Sequence, residues 1–144
     1  MSLLQNSNAI SAAGGYNITD SLRLRESASA YLSRTPTTTG DRQKFTVSTW
    51  VKCAKQDSSI IFNSIASSGN RVLFRFSGTN KQFHVILSEG GTNYGCLSNA
   101  YLRDPSAWYH LVLAVDTTQA TSTDRIKGYI NGEEITSWAS YSVP

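Results

Sequence analysis

The 144-residue sequence predicts an all-β fold, an antiparallel two-sheet sandwich or jelly roll with almost no helix, and three observations carry that prediction. The first is composition. Charged residues make up only 16%, against roughly 25% in ordinary domains, while 21 Ser and 14 Thr fill the difference. Solvent-facing helices need Glu, Lys and Arg on their outer face; Thr, Val, Ile and aromatic side chains suit a pleated surface. The second is repeated period-2 alternation of apolar and polar residues. The third is turn chemistry between those runs, which favours many short strands in two packed sheets. A coiled coil, a helical bundle and a collagen-like fibre are excluded, and the length is that of one domain.

Residues 1–15, small and polar through Ala12-Ala13-Gly14-Gly15, read as an N-terminal arm with Leu3, Leu4 and Ile10 as its apolar contacts. Residues 16–144 read as a single sandwich domain. Ser21–Arg25 alternates Leu22 and Leu24 with Arg23 and Arg25. Phe45–Val51 sets Phe45, Val47 and Thr49 opposite Thr46, Ser48 and Trp50. In Arg71–Phe76, Val72, Phe74 and Phe76 face inward, and in Gln82–Leu87 Phe83, Val85 and Leu87 do the same. Trp108–Val115 is apolar on both faces apart from His110, as in a central strand covered on both sides, and Ser59–Asn63 is a shorter run of that kind. Ser67–Asn70, Ser77–Asn80 and Glu89–Thr92 supply residues that tolerate positive φ. Asn131-Gly132, inside Ile126–Ile135, is the preferred type I′ hairpin turn. Asp104-Pro105-Ser106 predicts one short helical turn, and the tally is about ten strands.

The net charge of +3 and pI near 9.0 come from scattered residues with no basic run, so nucleic acid is not an expected partner. No apolar stretch approaches the roughly 18 residues of a membrane span. Met1–Asn8 lacks the basic and apolar regions of a secretion signal, which points to synthesis in a cytoplasm. Cys53 and Cys96 lack metal-ligand spacing and read as two small buried side chains. Catalytic groups are not expected: no two of the ten acids share a strand at i, i+2 spacing, and no G-x-S-x-G elbow occurs. His110, on the face of Trp108, reads as a hydrogen-bonded core histidine. His84 faces away from Phe83 and Val85, and no cluster near either histidine suggests a metal. Trp50 and Trp108, being large and within strands, read as core.

Three stretches carry a resemblance. Phe45-Thr-Val-Ser-Thr-Trp-Val-Lys52, Trp108-Tyr-His-Leu-Val-Leu-Ala-Val-Asp116 and Ile126-Lys-Gly-Tyr-Ile-Asn-Gly-Glu133 resemble the landmark strands of laminin-G-like domains, within the concanavalin A-like lectin/glucanase superfamily. Ser21–Arg25 resembles that family's first strand, and the likeness runs from about Tyr16 to Ala139. Ser27–Pro36, Arg103–His110 and Ala114–Ala120 resemble, more narrowly, domains of tailed-bacteriophage structural proteins. That resemblance implies a non-enzymatic virion-surface structural protein, made in the host cytoplasm, of the capsid decoration or cement type. Its partners would be phage coat or tail proteins and sister subunits, held through the arm and an open sheet edge. The alternative it implies is a lectin-like tail-fibre or host-recognition module for cell-surface glycans, with Tyr94, Tyr101, Trp138 and Tyr141, in or beside loops, as the sugar platform. The paired-carboxylate Glu-x-Asp-x-x-Glu pattern of the superfamily's glycosidases is missing, so the pair needed roughly 5.5 Å apart is not supplied. Calcium is the ion the resemblance implies, with Asp104, Asp116 and Asp124 as candidates; turn capping is the reading their neighbours favour, so no metal site or cofactor is assigned. Family members usually continue past the Asn-Gly hairpin with several further strands, so the expectations here are sheets that close with fewer strands, an edge covered by a partner, or a sequence that is a fragment.

Overall fold

A computed structural model describes residues 20–54, 57–67, 69–78 and 81–144. The arm, with Leu3, Leu4 and Ile10, lies outside the described residues. The chain divides into two compact units at Thr38 and Thr39. In the first, residues 20–38 carry one 3-10 turn, Glu26–Ala28, closed by Ser29 in the left-handed region at φ 48°. The expected strand at Ser21–Arg25 does not form, and Leu22 is 63% exposed. Two alternating leucines supply a period, but a strand exists only where its backbone groups find a ladder partner.

The second unit is the sandwich. Among the described residues nine strands run in chain order: β1 Lys44–Val51, β2 Ser59–Ser67, β3 Asn70–Ser77, β4 Gln82–Glu89, β5 Thr92–Tyr101, β6 Tyr109–Asp116, β7 Ile126–Ile130, β8 Glu133–Glu134 and β9 Trp138–Tyr141. They form two antiparallel sheets, a four-stranded one in the order β1-β6-β7-β8 and a five-stranded one in the order β2-β3-β4-β5-β9. The hairpin turns follow the expected chemistry. Gly90 and Gly91 join β4 to β5 at φ 56° and 88°, and Asn131 and Gly132 join β7 to β8 at φ 54° and 89°, as type I′ turns require. Asp104 closes a tight turn, accepting from the Ser106 backbone N–H and hydroxyl at 2.7 and 2.6 Å, so the expected helical turn is a capped loop instead.

Phe74, Phe76, Phe83, Val85 and Leu87 from one sheet meet Leu111, Leu113, Val115 and Ile126 from the other in a single buried cluster. Phe83 lies at its centre. Its ring packs on Phe74 at 4.7 Å and edge-on to Trp138 at 6.1 Å between centroids. Opposite it stands Gly128 of β7, where an added Cβ would meet Phe83 at 2.9 Å. The missing side chain lets the two sheets approach over the Phe83 ring. At the far end, the Tyr141 hydroxyl of β9 donates across the sandwich to carbonyls at the start of β7, with Thr123 and Ile126 oxygens at 3.1 Å.

Two strand environments differ from expectation. β6 lies inside its ladder, between β1 and β7, but only Leu111, Leu113 and Val115 are buried; His110, Val112 and Ala114 look outward and are half-exposed. An apolar outer row on an interior strand had the same appearance in sequence as a strand covered twice. Ser59–Asn63 belongs to β2, an edge strand with Ile60 and Ile65 64% and 62% exposed. Cys96 is buried, with its pKa pushed up to about 11 by desolvation, and Cys53 is half-buried, its Sγ 3.5 Å from the Ser59 hydroxyl.

Candidate functional site

The outer face of the four-stranded sheet carries the most developed array of binding-type side chains. Alternation on β1 sends Phe45, Val47 and Val51 toward the core and leaves Thr46, Ser48 and Trp50 outside. The register then builds cross-strand rows on that face. Trp50 lies opposite His110; Ser48 opposite Val112, which faces Tyr129 and then Glu134; Thr46 opposite Ala114, which faces Lys127; Lys44 opposite Asp116.

At one end of this face Trp50 and His110 stack, ring centroids 5.0 Å apart and planes at 19°. The Ser48 hydroxyl and His110 Nε2 are hydrogen-bonded at 2.9 Å. The backbone of His110 is clamped by the hairpin turn, its N–H donating to Asn131 Oδ1 at 2.9 Å and its carbonyl accepting from the Asn131 N–H at 2.8 Å. The imidazole is therefore fixed on ring, side-chain and backbone contacts, and the indole resting on it is half-exposed. Trp108, just before β6, is 49% exposed.

At the other end a shallow cleft of about 630 Å³ is bounded by Lys44, Thr46, Asp116, Gln119, Asp124 and Lys127. Asp116 organises it. Its carboxylate accepts from the Thr118 hydroxyl at 2.6 Å, the Gln119 amide at 2.8 Å and the Thr118 backbone N–H at 3.0 Å, and Lys44 lies 3.5 Å away. Those donors and that charge bring its pKa down to about 2. Lys127 stands 3.4 Å from Asp124 and 4.0 Å from Glu134, which raise its pKa. The calcium candidates do not fit a divalent cation. Asp116 and Asp124 face lysines, Asp104 is committed to Ser106, and no group of three metal-ligating side chains occurs among the described residues.

The four aromatic residues named from sequence are not assembled into one platform. All four lie in strands rather than loops. Tyr94 on β5 and Trp138 on β9 pack against the core, and Tyr141 spends its hydroxyl between the sheets. Tyr101, at the end of β5, is exposed, with the Arg103 guanidinium 4.7 Å from its ring centre. Conversely, Trp50 and Trp108 are not core, and His110 is hydrogen-bonded as expected but on the open face. The signal for Trp50 was present: it shares the polar phase of β1 with Thr46 and Ser48.

These elements define a two-sheet jelly-roll module whose open face presents a stacked aromatic pair and a charged cleft. The laminin-G-type model of the concanavalin A-like lectin/glucanases superfamily matches residues 26–143, and the chain belongs to that superfamily. No curated protein and no solved structure is similar enough to count as a match. No helix among the described residues is long and apolar enough to cross a membrane.

Proposed function

We propose that this chain is a non-enzymatic, lectin-like binding module that holds glycans on the outer face of its four-stranded sheet. The observation that carries the reading is the half-exposed Trp50 ring, made rigid by the His110 stack and the Ser48 hydrogen bond beneath it. A sugar ring presents an apolar face to such an indole, and a pre-ordered platform loses little side-chain entropy on binding. Ser48, Thr46 and the Lys127–Glu134 pair supply hydroxyl and charged partners along the same rows. Ser48 and His110 lie within hydrogen-bonding distance on this face, but no carboxylate among the described residues is bonded to the imidazole to orient it as in a hydrolytic triad.

The setting proposed for the module is the surface of a tailed-phage virion. Support comes from the likeness of residues 27–36, 103–110 and 114–120 to phage structural proteins and from the uncharged, exposed edge of β2 as an attachment surface to coat or tail protein or to a sister subunit. A glycan array probed with the protein and with Trp50→Ala tests the binding reading. Selective signals that the variant loses are expected; no signal from the intact protein would overturn it.

A further inference from the structure

Where the chain crosses from the four-stranded sheet to the five-stranded one, a cleft of about 480 Å³ lies between the end of β5 and the β7–β8 hairpin. Leu102 is buried at its base, and half-buried Ile130 and Ile135 form its apolar walls. The crossing segment is tied to both sheets. The Asn99 N–H donates to the Ser137 carbonyl at 3.2 Å and the Asn99 side-chain amide to the Ser137 hydroxyl at 2.7 Å. The Ile135 N–H donates to the Gly128 carbonyl of β7 at 2.8 Å. Walls bonded in this way hold the cleft in shape before any ligand arrives.

Glu133 stands at the rim. β8 pairs Glu133 with Ile130 and Glu134 with Tyr129. Ile130 packs on the core, whereas Tyr129 shares the outer face with Lys127, so the register puts Glu133 on the inner side of the edge strand and Glu134 on the outer side. Glu134 has Lys127 at 4.0 Å. No ion pair or hydrogen bond holds the Glu133 carboxylate among the described residues, and no lysine or arginine lines the cleft. An inward-facing acid on an edge strand guards it against pairing with another sheet, but that role needs no concavity beside the charge. Apolar walls under a single unpaired anion match a ligand built in the same order, an apolar stem that enters and a cation that stays at the mouth.

We propose that this cleft binds a primary alkylammonium group, the chemistry of a lysine side chain or of a free aliphatic amine. The methylene stem lies against Ile130 and Ile135, and the ammonium sits beside Glu133. The site does not use Trp50, so it stands or falls separately from the aromatic face.

The test is two-dimensional NMR titration of the full chain with n-pentylammonium chloride. The comparators are n-pentanol, which keeps the stem and lacks the charge, and methylammonium, which keeps the charge and lacks the stem. The expected result is a set of shifts centred on the backbone amides of residues 100–102 and 130–137, with binding that weakens as salt is raised. Pentylammonium should bind roughly tenfold or more tighter than methylammonium and roughly fivefold tighter than pentanol. Glu133→Gln should cost the amine that same factor of roughly five while leaving pentanol binding and the melting temperature unchanged, and Trp50→Ala should bind the amine like the intact chain. An acetylated and amidated Gly-Lys-Gly peptide separates the sources: its binding assigns the cleft to a lysine side chain of a partner, and its failure beside bound pentylammonium assigns the cleft to small amines. The proposal is overturned if pentylammonium shifts none of these amides, if pentanol binds equally well, or if Glu133→Gln binds the amine like the intact chain, which would leave Glu133 as a guard of the edge alone.

Discussion

Phe83 is the side chain on which both sheets close, and Gly128 is what makes room for it. An alanine there would put its Cβ 2.9 Å from the Phe83 ring and from Ile135 Cδ1. Overpacking of this kind costs about 1–3 kcal/mol, so Gly128→Ala is expected to lower the unfolding free energy by that amount and with it the denaturation midpoint; an unchanged midpoint would mean the sheets are less tightly apposed. A second residue-scale expectation concerns His84. Burial, and then the charge of Arg75, hold its pKa below the ordinary histidine value. Arg75 is the charged group facing it from β3, and the adjoining β5 positions, Gly95 and Leu97, carry none. The unfolded chain therefore takes up this proton at a higher pH than the folded chain does. Stability from this site is full above about pH 6.5 and declines as pH falls below it. Chemical denaturation across that window should show the decline in the intact protein and a flatter profile in His84→Gln; parallel profiles would contradict it.

Among the elements, the β7–β8 hairpin does more than reverse the chain. Asn131 holds the backbone of His110 in both directions, so the turn positions the stack on the neighbouring strand. Gly132 sits at φ 89°, where an alanine is strained by about 1 kcal/mol or more. Gly132→Ala is expected to lower stability by that amount and to blunt glycan binding through His110, read by titration; intact affinity with lowered stability would uncouple the turn from the site. The edge strand β2 has no ionisable side chain along its nine residues. Ile65→Glu, on a side chain 62% exposed, should leave stability within about 0.5 kcal/mol while abolishing self-association in light scattering. A monomeric intact protein would contradict the attachment role of this edge. The strands themselves were largely legible. β1, β3, β4 and the β7–β8 turn show their alternation or turn dipeptide in the sequence, because local sterics and one-sided burial act there together. Residues 21–25 and β2 depart from expectation because the exposure of a short apolar run depends on whether a neighbour covers it, which no local pattern encodes.

At the scale of the whole molecule, the two sheets bury one face each and leave two outer faces of contrasting character. One is aromatic with paired charges; on the other, Arg71 and Arg75 donate to Ser88 and His84. The jelly-roll class and the family were readable from strand order and spacing. The site was not. Trp50 and Trp108 read as core from their size within strands, and Trp138 and Tyr141 as platform candidates from their place beside loops; the structure leaves the first pair half-exposed and packs the second against the core. The decisive information was phase: Trp50 alternates with Phe45 and Val47, whereas Trp138 is drawn inward to the edge of Phe83. His110 is placed on the open face only by the ladder itself, which flanks it with β1 and β7 and leaves its ring under the half-exposed Trp50 indole.

The most direct test follows the three indole N–H signals of Trp50, Trp108 and Trp138 by two-dimensional NMR during titration with the strongest ligand from the glycan array. The account expects the Trp50 signal to move progressively with the His110 backbone amide, while the Trp138 signal, packed against Phe83, stays in place. Movement of Trp138 with Trp50 unchanged would relocate the binding site and contradict the account.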